Sequence, residues 1–139
     1  MSPQVLVDYA EKIATEAHEG QFRRGGRVPF IEHPRAVVSR VGQDYDLQVI
    51  AWLHDVIEDT SETAESLEGA GIPSELVDEI VLLTKTRETT YEHYLERVAT
   101  SKIATKVKIA DILSNLADNP TKKQVRKYAK ALLRLTQPS

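Results

Sequence analysis

Residues 51–60 read AWLHDVIEDT, and the rest of the chain is interpreted outward from them. Leu47, Ile50, Leu53 and Ile57 recur at three- and four-residue steps, the stripe of a helix that faces a core. On such a helix His54 and Glu58 lie four apart, as do Asp55 and Asp59, so the four form two neighbouring columns. Carboxylates crowded beside a core stripe need a cation, yet no Lys or Arg lies between Arg40 and Lys85. A metal ion is one economical counter-charge. The bland reading of a lone His-Asp pair is a solvated helix end with a packed histidine.

Residues elsewhere move the balance towards a metal. His33 stands beside Pro34 at the end of a loop restrained by Pro29 and Pro34. Asp111, in KVKIADILSNL (106–116), is carried towards the apolar side of its helix by Val107 and Ala110. Asn115, one turn on, points the same way and can orient a ligand, a water or a substrate. His33, His54, Asp55 and Asp111 together offer two imidazoles and two carboxylates. That set suits a borderline or hard divalent ion with water completing its shell. Mn²⁺ is preferred, with Fe²⁺, Zn²⁺ and Mg²⁺ open. Glu58 and Asp59 remain as acid/base groups, and the chemistry suggested is metal-assisted hydrolysis of a phosphate ester or anhydride.

A phosphorylated substrate needs a positive receptor. Between Gly20 and Gly42 lie Arg23, Arg24, Arg27, Arg35 and Arg40 against a single acid, Glu32. Guanidinium groups clamp phosphate or stack on a base, and about half of these five are expected to be ordinary solvated arginines. His18 is expected to hold this loop, and His93 to be exposed. Lys102, Lys106 and Lys108 could extend a basic rim, with a solvated face as the default reading. Trp52 and the five tyrosines read as packing residues.

The pattern is helical from end to end. Helix starts are expected at Ser2-Pro3, Asp46, Pro73-Ser74, Ser101 and the capping-box pairs Thr89/Glu92 and Thr121/Gln124. A short helix is expected over 34–41. No sustained period-two alternation predicts a sheet. The expectation is an all-α bundle of about seven or eight helices, one domain over 1–139. Cysteine is absent, which removes disulfides and thiolate chemistry. Eighteen basic against 21 acidic residues give a net charge of −3, a poor match to a general nucleic-acid binder. With no apolar run near the roughly 20 residues of a membrane span and no signal-like start, a cytoplasmic location is expected.

Five segments in order carry a family resemblance: AHEGQFRR (17–24), PFIEHP (29–34), HDVIEDT (54–60), LLTK (82–85) and VKIADILSNL (107–116). Over roughly residues 5–117 the sequence resembles the HD superfamily of metal-dependent phosphohydrolases. More narrowly, it resembles the hydrolase domain of bifunctional (p)ppGpp synthetase/hydrolases and the small stand-alone alarmone hydrolases. The resemblance implies an all-helical fold and a metal, usually Mn²⁺, on His33, His54, Asp55 and Asp111. It implies a catalytic pair Glu58 and Asp59, a nucleotide-receiving pair Arg23 and Arg24, and Asn115 near the ribose. The implied reaction removes the 3′-pyrophosphate of ppGpp or pppGpp, giving GDP or GTP and pyrophosphate. A related animal branch removes the 2′-phosphate of NADPH, so another phosphorylated nucleotide is the alternative substrate; a non-catalytic nucleotide sensor is the alternative from a different class. Four departures fall where a substrate is expected: Arg24 at a position often Lys, a loop RRGGRVPF one residue longer than the common pattern, Ile112 in place of a basic residue, and a short stretch after Asp118.

Overall fold

Ser2 starts the first helix as its spacing predicts: its hydroxyl accepts from the Val5 amide and Pro3 fills the first helical position. The computed structural model describes residues 2–23 and 25–138. Helix α1 (Pro3–Ala17) leads into a minimal hairpin, β1 (Phe22–Arg23) and β2 (Val28–Pro29), and then α2 (Glu32–Ser39), α3 (Tyr45–Leu53) and α4 (Val56–Asp59). The chain continues through α5 (Ala64–Gly69), α6 (Ser74–Leu82), α7 (Tyr91–Val98), α8 (Lys102–Leu116) and α9 (Lys122–Leu135). The fold is all-α, as expected, with the hairpin as an addition.

Helix α3 is the centre. Leu47 and the run Val49–Leu53 are all buried, so the C-terminal part of the helix is apolar on every side and must be surrounded. It packs against α1, α2, α6 and α8. Ile50 and Leu53 are fully enclosed, each stabilising the fold by about 1.5–3 kcal/mol. Helix α8 crosses the same core with Ala104, Val107, Ala110 and Ile112. No helix among the described residues is long and apolar enough to cross a membrane.

Several local expectations are corrected. The loop closes as an antiparallel pair, Phe22 opposite Pro29 and Arg23 opposite Val28. Gly25 and Gly26, both at positive φ, make the turn that four- to eight-residue alternation rules do not detect. Asp44 rather than Asp46 caps α3, accepting from the Leu47 amide, and Thr90 rather than Thr89 caps α7. The segment 54–59 is not one continuous helix with α3: a turn at His54 and Asp55 separates α3 from α4, and His54 Nδ1 bonds to the Ala51 carbonyl at 2.7 Å. With α5, that break brings the helical segments to nine among the described residues. Ile112 is fully buried in the core, so this departure from the family pattern does not face a substrate.

Candidate metal centre and cleft

The turn between α3 and α4 decides where the chemistry lies. His54 and Asp55 occupy that turn with backbone angles still near helical, while α2 brings His33 and α8 brings Asp111 to the same point. One ligand atom each from His33, His54 and Asp111 lies within 4.8 Å of the others, and all three residues are buried. Asp55 Oδ2 stands 3.1 Å from His54 Nε2 and 3.6 Å from His33 Nε2. Asp111 Oδ1 stands 2.8 Å from His33 Nε2 and 3.6 Å from His54 Nε2. The four residues singled out from the sequence therefore converge.

The donor set fits a divalent cation. His54 Nε2 is buried with no hydrogen-bond partner, although two carboxylate oxygens lie close by. An orphaned imidazole nitrogen facing carboxylates is costly unless something else binds there. Burial pulls the His54 pKa down, but the charges of Asp55 and Asp111 outweigh it and hold His54 well above its ordinary value. Burial alone would raise Asp111; Lys108 and then the two imidazoles hold it well below the usual carboxylate range. The carboxylates thus demand positive charge, which protons supply in the absence of a metal.

Lys108 is where the expected solvated face fails. Its Nζ lies 2.8 Å from Asp111 Oδ2, largely buried, and 5.1 Å from the centre of the Tyr94 ring. The signal was present in the sequence: Lys108 and Asp111 are three apart, hence neighbours on one helix. Lys102 and Lys106 carry no such partner in sequence.

A cleft of about 430 Å³ opens over this cluster. Asp55, Glu58, Asp59 and Asp111 line it, and Arg23, Lys85, Lys108 and Lys127 line it as well. Burial lowers the Lys127 pKa, with the charges of Lys108 and Lys85 adding to it and those of Asp111 and Glu58 opposing it. Tyr91, Tyr94 and Tyr128 also border the cleft, so these three tyrosines are not packing residues alone. Lys85 ends the LLTK segment, but sequence reasoning gave it no role in the cleft; Lys127 and Tyr128 were missed because they reach it from α9, outside every quoted segment.

Glu58 and Asp59 sit on α4 at the cleft wall. Glu58 Oε1 accepts from the Lys85 amide at 2.7 Å, which fixes its carboxylate. Burial, then the charges of Asp55 and Glu58, push the Asp59 carboxyl up to about 6. Arg23 Nη2 donates to Asn115 Oδ1 at 3.0 Å and lies 3.7 Å from Asp118. Asn115 Nδ2 in turn donates to Asp111 Oδ1 at 3.3 Å, so Arg23 and Asn115 are tied to the centre. Arg24 lies outside the described residues. Arg35 is half exposed and pairs with Glu11 and Glu32, as an ordinary surface arginine does.

The helical bundle brings a buried His–Asp cluster to the foot of a cleft, and the relatives below show that the chain belongs to the family of HD-type alarmone hydrolase domains. Within it, the chain resembles the (p)ppGpp-hydrolysing branch. It is 42% identical over 113 residues to guanosine-3′,5′-bis(diphosphate) 3′-pyrophosphohydrolase of Haemophilus influenzae, covering 76% of this chain and 16% of that protein. A probable GTP pyrophosphokinase of Mycobacterium leprae is 33% identical over 141 aligned residues, covering 91% of this chain and 18% of that protein. The bifunctional (p)ppGpp synthase/hydrolase SpoT of Escherichia coli is 42% identical over 79 residues, covering 52% of this chain and 11% of that protein. This chain spans less than a fifth of the length of these relatives. A solved structure described as a metazoan ortholog of SpoT that hydrolyses ppGpp superposes with a TM-score of 0.81 at 23% identity, covering 98% of this chain and 88% of that one. No family model matches the chain.

Proposed function

We propose that this chain is a Mn²⁺-dependent hydrolase that removes the 3′-pyrophosphate of ppGpp or pppGpp, releasing GDP or GTP and pyrophosphate. The observation that carries the reading is the meeting of His33, His54, Asp55 and Asp111 beneath a cleft bordered by four cationic side chains. In this reading those four residues hold the ion, which when bound lowers the pKa of water and stabilises charge on a phosphoryl oxygen.

The protein's own groups do the rest. Arg23, tethered by Asn115, receives the nucleotide, and Lys85, Lys108 and Lys127 offset the charge of its phosphates. Water oxygen bonds to the phosphorus next to O3′ as the P–O3′ bond breaks. Glu58, fixed by the Lys85 amide, takes the water proton. Asp59, which keeps a proton up to about pH 6, returns one to the departing O3′. The nucleoside then carries a free 3′-hydroxyl, and the phosphoryl pair leaves as pyrophosphate.

A nucleotide panel with products identified by mass tests this. Mn²⁺-loaded protein is expected to turn over ppGpp. Turnover of NADPH or another nucleotide with ppGpp left intact would reassign the substrate, and tight ppGpp binding without product in metal-replete protein would make the chain a sensor. Arg23→Ala is expected to raise KM roughly 10- to 100-fold with a smaller change in kcat, the loss of one charge-assisted contact made throughout binding. Steady-state kinetics on ppGpp measure it, and an unchanged KM would remove Arg23 from the site.

A further inference from the structure

A contact between distant parts of the chain couples the hairpin to the acidic turn. Gln21 lies two residues before Arg23, yet its Nε2 donates to the backbone carbonyl of Asp59 at 2.8 Å. With the amide nitrogen committed there, Gln21 Oε1 is left as an acceptor, and His18 Nδ1 lies 2.9 Å from it. Hydrogen-bond logic fixes the imidazole as the Nδ1–H donor. His18 is buried and its Nε2 has no partner, which suits a neutral ring with a bare nitrogen; burial lowers its pKa in the same sense. The ring is wedged against Phe30, centroids 4.7 Å apart, and Phe30 in turn meets the edge of His33 at 5.9 Å. Both ends of the Gln21 side chain are therefore occupied.

The other end of this connection is α4, a helix of four residues. One turn cannot hold itself in water. Its C-terminal carbonyls lack the partners a longer helix would supply, and the Asp59 carbonyl is among them. An external donor at that carbonyl fixes the end of the turn, and with it the directions in which Glu58 and Asp59 leave the backbone.

We infer that His18 and Gln21 form a positioning relay: His18 orients the Gln21 amide, and Gln21 clamps the Asp59 carbonyl so that the Glu58–Asp59 pair faces the cleft. The relay acts through Asp59 and touches no substrate. Its effect on turnover rests on the hydrolase reading above, while its effect on the backbone does not. In the geometry of the chain, the hairpin that carries Arg23 and the turn that carries the acids are locked into one register.

Two variants separate the relay from general packing. Gln21→Met keeps the volume and loses both hydrogen bonds. Gln21→Glu keeps an acceptor for His18 but sets an oxygen against the Asp59 carbonyl. Both are expected to lower kcat about tenfold, the loss of about one hydrogen bond's worth of alignment, with KM within about twofold. His18→Phe, which preserves the contact with Phe30, is expected to give a smaller loss in the same direction. Hydrogen–deuterium exchange, read on metal-free protein without substrate, is expected to quicken about tenfold over residues 56–62 in both Gln21 variants and to stay unchanged in α8. Unchanged exchange at 56–62 in both variants would overturn the relay whatever the enzyme's substrate. Raised KM with unchanged kcat would also overturn it, since Gln21 would then serve Arg23 rather than the acids. If the wild-type protein hydrolyses nothing in the panel, the hydrolase reading falls while the exchange result still decides the relay.

Discussion

Asp55→Ala is expected to lose bound metal and hydrolysis together. Its carboxylate comes from the turn between α3 and α4 and reaches both imidazoles, at 3.1 and 3.6 Å. Its removal leaves His33, His54 and Asp111, so the ion loses one of two anionic ligands. Losing a residue that only supports a ligand costs roughly 10- to 100-fold in metal affinity, and a direct ligand should cost at least the upper end. Turnover is expected to fall on the order of 10³-fold, or about 4 kcal/mol in the barrier. The same change shows in stability. Mn²⁺ at roughly 100 times its dissociation constant stabilises the folded state by about 2.7 kcal/mol, a gain that Asp55→Ala protein should largely lack. Elemental analysis, thermal melts with and without Mn²⁺, and rates on ppGpp measure the three effects. Glu58→Gln is the control: it should retain the metal and still lose roughly 10²-fold in turnover. Full activity in metal-free Asp55→Ala protein would leave the scheme without its ion.

The difference between those two acids is legible in the sequence, but only in part. Residue spacing placed Leu53 against the core and Asp111 on the inner side of α8, because periodicity reports burial directly. It could not report the turn at His54 and Asp55. At that turn His54 Nδ1 bonds to the Ala51 carbonyl, a side-chain contact that apolar periodicity does not encode. A helix continuous through 54–59 predicts His54 stacked over Glu58; in the structure His54 and Asp55 meet His33 and Asp111, while Glu58 and Asp59 line the cleft. Lys108 shows the same limit from the other side. Its neighbours in sequence give it an exposed helical pattern, and only the inward Asp111 one turn away explains its burial. Residues such as Lys85 and Lys127, which line the same cleft, lie beyond any local rule because tertiary packing alone brings their elements together.

Asp59→Asn is expected to cut turnover roughly 10²-fold while making the metal-free protein more stable at pH 8. Burial, Asp55 and Glu58 raise its carboxyl to about 6, above an unfolded value of about 3.9. A carboxyl raised on folding binds its proton more tightly in the folded state. Stability is therefore lost as pH climbs from about 4 through 6, and the ionised group burdens the fold above that. A shift of about two units corresponds to at most about 3 kcal/mol; half exposure to solvent reduces this to about 1 kcal/mol. Asparagine removes the charge, so the melting temperature of chelator-treated protein should rise on the order of 4 °C at pH 8. At pH 3.5 most of that gain should vanish, because the wild-type carboxyl is then protonated in the folded state and largely so in the unfolded state. An equal gain at both pH values would assign the effect to packing instead of charge. A gain confined to high pH, joined to lost turnover, would mean that α4 holds Asp59 at a cost to the fold because the reaction uses it.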